Sequence, residues 1–520
     1  MSASDHKGGT SRQQEVRAKV LRIYLRDYYS QYHSRRISVF ACRDVIEQFP
    51  GCDLFARYWS DVERNLSAGD SSVTATISWP RTVFKLNRIS KGINKLNNYG
   101  GIVCVGPNAI SDDFFEVFSQ LTSVQSLDMS RRNQSAITDE CFRHLTNLSV
   151  LSMSRCTQST ITDKAFSHLS RLRELNMGDY GSHKTITNDA FRHLQDLTSL
   201  TIYWCHESIG DEAFSHLPNL ESLDMSFCQN TAITDDGFLH LSKLRTLLMS
   251  NSTVFLPFQT ALTDQAFHHL KELQSLEMNN CSQTMITNEA FRHMSKLKRL
   301  SMESCRQTTI SDEAFRHLPN LTRLNMALCS QPTISGEGFW YLTGLRSLSI
   351  RACSQNSITT TGFRHLVHLT SLDIRECRQS TIADETFRHL TNLRYLNMQK
   401  CNQTTITDAV FQHLRNLKGV DMAKCTQKTL TGRGFLQLTN LEFLYIRNCS
   451  QIKVTSDIFQ PLSGLRFLDI AGCVLSQITS NTFRPLTNLE VAWLGTRETI
   501  ADDIPKDVFS HLDNVTVNHN

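Results

Sequence analysis

Cysteine, threonine, aspartate and histidine stand together in "CNQTTITDAVFQHL" at 401–414, and these residue types ligate metals or carry out nucleophilic chemistry. The stretch returns as "CRQSTIADETFRHL" at 377–390, "CRQTTISDEAFRHL" at 305–318 and "CTQSTITDKAFSHL" at 156–169. Twelve cysteines (156, 205, 228, 281, 305, 329, 353, 377, 401, 425, 449 and 473) hold one phase of this repeat. Twelve histidines (144, 168, 193, 216, 240, 269, 293, 317, 365, 389, 413 and 511) hold another. Within one unit the two types fall on different sides of a turn and a helix, and across units like residues form a ladder. Neither arrangement makes the clustered tetrahedral set that a structural zinc needs. Reduced, buried thiols acting as small hydrophobes, and histidines facing loop carbonyls or solvent, fit the spacing better. No phosphate-binding glycine loop, Gly-x-Ser-x-Gly or His-Glu-x-x-His occurs. The expectation is therefore no enzyme: no catalytic residue, no cofactor and no metal.

The elements that position these residues follow from the period, which is 24 residues. With the recurring phenylalanine as marker, seventeen units run from Phe118 to Phe509 and occupy 105–520. Aligned, they read C-x-Q-x-x-I-T-D-x-x-F-x-H-L-x-x-L-x-x-L-x-M-x-x-C. The alternation in Leu396 and Met398 predicts a short strand with one buried face. The spacing of three between Phe387, Leu390 and Leu393 predicts a turn or two of helix feeding that strand. Thr407 with Asp408, or Ser311 with Asp312, supplies a hydroxyl N-cap and an acid at the positive end of the helix dipole. One unit cannot bury its own leucines and phenylalanine, whereas a stack of units makes a core. The predicted fold is α/β, a curved right-handed solenoid with a parallel inner sheet and short helices on the convex side.

The L-x-x-L-x-M-x-x-C core followed by I-T-D resembles the cysteine-containing leucine-rich repeats, over about four-fifths of the chain. Four residues, "NQTT" at 402–405, separate the cysteine from I-T-D where that subfamily usually has two, and the phenylalanine and 24-residue length look like the typical leucine-rich repeat. Helices ahead of such repeats resemble the F-box substrate receptors of ubiquitin ligases. The resemblance implies a protein-binding solenoid and, in that version, a substrate-recruiting adaptor with ligase components among its partners.

The formal net charge is +4; residues 1–100 hold 16 Lys plus Arg against 9 Asp plus Glu, so 4 − 7 = −3 remains for the repeats. No apolar run reaches the length of a membrane span, and "MSASDHKGGTSRQQEVRAKV" lacks the apolar core of a signal peptide. The expectation is a cytoplasmic or nuclear protein without a transmembrane segment. An extracellular recognition or adhesion protein is the alternative.

Since the framework positions are committed to packing, partner-binding residues are expected where the units disagree, on the concave face between the strand leucines. Tyr203, Trp204 and Phe227 stand there in the fourth and fifth units, and Phe443, Tyr445, Phe467 and Trp493 near the C-terminal end. Their rings either serve as hot spots or pack on neighbouring rings. Arg299, Arg323, Arg351 and Arg375 lie between, mixed with Glu303, Asp373 and Glu376, and either meet an acidic partner surface or form a solvated mixed-charge face. One unit is five residues longer, Phe238 to Phe267 being 29 apart, and its extra "STVFLPFQTA" at 252–261 carries Phe255 and Phe258, which tuck in or project to a partner. A protein partner is expected and no nucleic acid.

Residues 1–14 are polar and expected to be a disordered tail. Residues 15–104 are expected to be mainly helical, as a cap over the first repeat or as a divergent F-box-like region; "VIEQFPGCDLFARYW" at 45–59 resembles an F-box loosely and lacks its leading Leu-Pro. Arg81, Lys85, Arg88 and Lys95 fall near one face of a basic amphipathic pattern opposite Phe84 and Ile93.

Overall fold

The alternation of Leu and Met forms three-residue strands, and the strands pair in register because every unit repeats the same alternation. The computed structural model describes residues 36–40, 74–78, 102–104 and 125–519, apart from 131–136, 157–158, 179–183, 205, 229, 252–261, 282–283, 354, 476, 496–506 and 513–514. The chain divides into two units, 1–220 and 221–520. In the first, the described strands are β1 (Arg36–Phe40), β2 (Thr74–Ser78), β3 (Ile102–Cys104), β4 (Ser126–Asp128), β5 (Val150–Ser152), β6 (Glu174–Asn176) and β7 (Ser199–Thr201), each parallel to the next. β1, β2 and β3 lie where a mainly helical region is expected. The basic pattern, the 45–59 segment and the N-terminal tail lie outside the described residues.

The second unit continues with β8 (Ser222–Asp224), β9 (Thr246–Leu248), β10 (Ser275–Glu277), β11 (Arg299–Ser301), β12 (Arg323–Asn325), β13 (Ser347–Ser349) and β14 (Ser371–Asp373). It ends with β15 (Tyr395–Asn397), β16 (Gly419–Asp421), β17 (Phe443–Tyr445), β18 (Phe467–Asp469), β19 (Val491–Gly495) and β20 (Thr516–His519). All described pairings are parallel, with a leucine or its substitute facing its equivalent, as Leu372, Leu396 and Val420 do. Short helices of four to six residues, mostly 3-10, form the opposite layer and make the expected one or two turns. Each turn brings its phenylalanine into the core, where Phe339 meets Phe363 at 5.7 Å and Phe411 meets Phe435 at 5.6 Å between ring centroids. Full burial of such a ring contributes about 1.5–3 kcal/mol.

The turn after each strand requires a residue with positive φ, such as Ser304 (59°) or Lys400 (55°). A side chain in that region costs roughly 1–2 kcal/mol. Hydrogen bonds around the turn offset it. The Lys400 N–H donates to the Ala423 carbonyl at 2.9 Å, and the Cys401 N–H returns to Met398 at 3.2 Å. The Cys401 thiol donates to the Ile374 carbonyl of the preceding coil at 2.9 Å. The same thiol bond recurs at Cys305, Cys329, Cys353, Cys377, Cys425 and Cys449. These cysteines are free and buried, and burial pushes the Cys329, Cys377 and Cys425 thiols up to about 12.

The Thr-Asp pair does more than cap its own turn. Thr407 Oγ1 accepts from the Ala409 N–H at 3.1 Å, and donates to Asp384 Oδ2 of the preceding coil at 2.6 Å. Asp384 Oδ1 also accepts the Thr407 N–H at 2.8 Å. The acid thus ties its turn to the next unit, as Asp139, Asp163, Asp235, Asp264 and Asp312 also do. Ser311 departs from the expected cap: its hydroxyl accepts from Asn288 Nδ2 at 2.9 Å rather than from its own turn.

The candidate partner-binding face

Because side chains alternate along a strand, the residues flanking each buried leucine point away from the core and share the open face of the sheet. In the second unit one row on that face runs Arg299, Arg323, Ser347, Ser371, Tyr395, Gly419, Phe443, Phe467. The next runs Ser301, Asn325, Ser349, Asp373, Asn397, Asp421, Tyr445, Asp469, Trp493.

Four of the expected residues concentrate at the C-terminal end. Phe443 and Phe467 stack at 5.0 Å with their planes 8° apart. Tyr445 and Trp493 approach to 6.4 Å between centroids, with Asp469 between them in the ladder. Arg466 lies 5.5 Å over the Phe467 ring and pairs with Glu490 at 2.7 Å. Tyr395 belongs to the same patch, 47% exposed, and its ring leans across Gly419 toward Phe443: a Cβ at Gly419 would stand 3.0 Å from the tyrosine ring and 3.7 Å from Phe443. Burial, followed by the nearby Asp421 and Asp469 charges, raises the Tyr445 hydroxyl above its usual range.

The arginines divide. Arg375 is held in a fork by Asp373, with Nη2 to Oδ2 at 2.7 Å and Nε to Oδ1 at 2.9 Å, and this bonding lifts its affinity for the proton further. Arg351 reaches Glu303 at 3.8 Å. Glu376 takes Lys400 at 3.0 Å, chiefly through a hydrogen bond that lowers the carboxyl's proton affinity. Arg299 and Arg323 sit side by side in β11 and β12, exposed and without an ion pair among the described residues.

Elsewhere the expectation needs correcting. Trp204 and Phe227 lie past the strand alternation: each occupies the positive-φ turn after its strand, at 58° and 59°, one position beyond Tyr203 and Ser226. Tyr203 is on the face in the first unit but is used internally. Its ring covers Gly178, where a Cβ would overlap it, and its hydroxyl bonds Ser154 Oγ at 2.9 Å. Phe255 and Phe258 lie outside the described residues. The residues not anticipated are Tyr395, Asp421 and Asp469. The 24-residue phase that marks Phe443 and Tyr445 also marks them. Among the described residues no group of three His, Cys, Asp or Glu side chains stands together as metal ligands.

The sequence matches the family model described as BspA type leucine rich repeat region over 108–245 and 207–346, and a leucine rich repeat model over 343–403. No curated protein matches the chain. Among solved structures, TLR13 in complex with ssRNA13 aligns with TM-score 0.59 and 19% identity, covering 87% of this chain and 71% of that one. The Drosophila Toll–Spatzle complex aligns at 0.55 and 15%, covering 85% and 62%. A leucine-rich repeat protein of Leptospira interrogans aligns at 0.55 and 17%, covering 85% and 100%. Stacked strand-and-turn coils, a shared buried leucine ladder and the matched segments together make this a leucine-rich-repeat chain.

Proposed function

We propose that the chain is a non-catalytic scaffold that holds a protein partner on the open face of β14 to β19. The observation that carries this reading is the aromatic set Tyr395, Phe443, Tyr445, Phe467 and Trp493 on one exposed face, since large amphipathic rings dominate the energetics of protein interfaces. Asp373, Asp421 and Asp469 stand among the rings and disfavour a phosphate backbone there, which supports a protein rather than a nucleic acid. Free buried thiols suit a reducing compartment, in keeping with a cytoplasmic setting.

The test is retention of partners from an extract of the source organism by the whole chain, by Phe443→Asp and by Leu436→Asp. Leu436 is exposed on a helical turn away from this face. Phe443→Asp is expected to weaken retention by tenfold or more, with Leu436→Asp unchanged; equal retention by all three refutes the reading. The adaptor version rests on the resemblance of the repeats alone. It is tested by asking whether the whole chain recovers ubiquitin-ligase components that a variant lacking residues 1–100 does not.

A further inference from the structure

β16 is the low point of the face. Gly419 in that strand and Ala423 in the turn just after it flank Asp421, so the carboxylate rises between two positions with almost no side chain. The walls are aromatic: Tyr395 and Phe443 on either side of Gly419, and Tyr445 directly beside Asp421 in the ladder.

Every other aspartate on this part of the face has a cation of its own. Asp373 holds Arg375, and Asp469 accepts from Arg447 Nε at 2.8 Å. Asp421 accepts only from the Gln399 amide and from the Ala423 N–H at 3.1 Å, and no lysine or arginine among the described residues reaches ion-pair distance. A half-buried carboxylate without an ion-pair partner, with Tyr445 beside it and Tyr395 and Phe443 diagonal to it, is complementary to a cation, which gains from the charge and from the ring quadrupoles together. Burial raises the Asp421 carboxyl above its usual range, outweighing the Ala423 and Gln399 hydrogen bonds and the Arg375 charge that act to lower it.

We propose that this recess receives a lysine or arginine side chain of the protein partner, the cationic head on Asp421 and the methylene stem against Tyr395, Phe443 and Tyr445. The inference rests on the docking reading above and specifies its chemistry. Phe467 and Trp493, beyond the recess, are left for apolar contacts of the same partner.

The probe is the peptide acetyl-Gly-Gly-Lys-Gly-Gly-amide against its norleucine counterpart, titrated into the whole chain by saturation-transfer NMR. The lysine peptide is expected to bind at least about tenfold more tightly, with saturation in its side-chain methylenes. Asp421→Asn, which keeps the shape and the Ala423 bond and meets Gln399 with that amide turned over, is expected to reduce the preference below twofold. Equal binding of the two peptides, binding of neither, or a preference that survives Asp421→Asn overturns the inference. If the preference is absent while Phe443→Asp still loses the partner, only the cation assignment falls; if Phe443→Asp leaves retention unchanged, the docking face itself falls.

Discussion

Gly362→Ala exposes how tightly the coils are stacked. Gly362 lies in the turn Thr360–His365 and faces Gly336 of Gly336–Tyr341. A Cβ at Gly362 would stand 2.5 Å from both the Cα and the carbonyl oxygen of Gly336, where about 3.5–4.0 Å is comfortable. Both are backbone atoms, so no rotamer change relieves the contact and the coils must part by roughly 1 Å. Replacing glycine inside a helical turn ordinarily gains about 0.5–1 kcal/mol, and overpacking costs about 1–3 kcal/mol, so the substitution is expected to cost about 1–2 kcal/mol net. The reciprocal Gly336→Ala meets Gly362 Cα at 3.1 Å and Thr359 N at 3.2 Å, a milder conflict expected to come out near zero. Since repeat chains open coil by coil, amide hydrogen exchange is the assay, read at residues 336 and 362, whose N–H groups donate to Ser357 and Thr359 at 3.0 Å each. About 1.4 kcal/mol is a tenfold faster exchange. Unchanged or slower exchange in Gly362→Ala, or equal acceleration in both variants, refutes the packing argument.

Three further outcomes follow from the coil interior. Gln403 is 5% exposed and neither of its amide atoms has a partner among the described residues, so Gln403→Met is expected to stabilise by about 1 kcal/mol in urea unfolding; a loss of that size would contradict the orphaned amide. Thr407→Val removes both the cap and the bond to Asp384, and is expected to cost about 1–2 kcal/mol, seen as faster exchange of the Ala409 amide, with Thr407→Ser restoring protection. For the thiols the folded value is raised from the ordinary 9.0 to about 12, so their stabilising contribution is whole below pH 9 and lost as pH rises toward 12. Thermal melting should therefore fall steeply above pH 9, while native Cys377 resists alkylation at pH 8; rapid labelling of the folded chain would contradict its burial.

The repeat itself was legible because burial obeys local periodicity. Leu396 and Met398 alternate, Phe387 and Leu390 keep helical spacing, and the same residues recur every 24 positions, so strand, turn and core each follow from near neighbours. The cysteines' burial followed from their phase, since a residue repeated in every coil faces its own copies. Phe443 and Phe467, expected on the face, are there for the same reason. Trp204 and Phe227 were misplaced because the alternation ends one residue earlier, where a left-handed turn redirects the side chain.

What only the tertiary structure decided are relations between coils. Whether an aspartate is paired depends on what the adjacent strand presents: Asp469 meets Arg447 and Asp421 does not, although both occupy one phase of the repeat. Asp384 looks like a helix-dipole acid in its own unit and proves to be the link to Thr407 in the next. Tyr203 and Tyr395 both lean over a neighbouring glycine, yet one ends half-buried on Ser154 and the other opens to solvent beside Phe443. A single unit determines its own shape through local patterning, whereas charge pairing, ring stacking and exposure arise from the contacts that stacking creates.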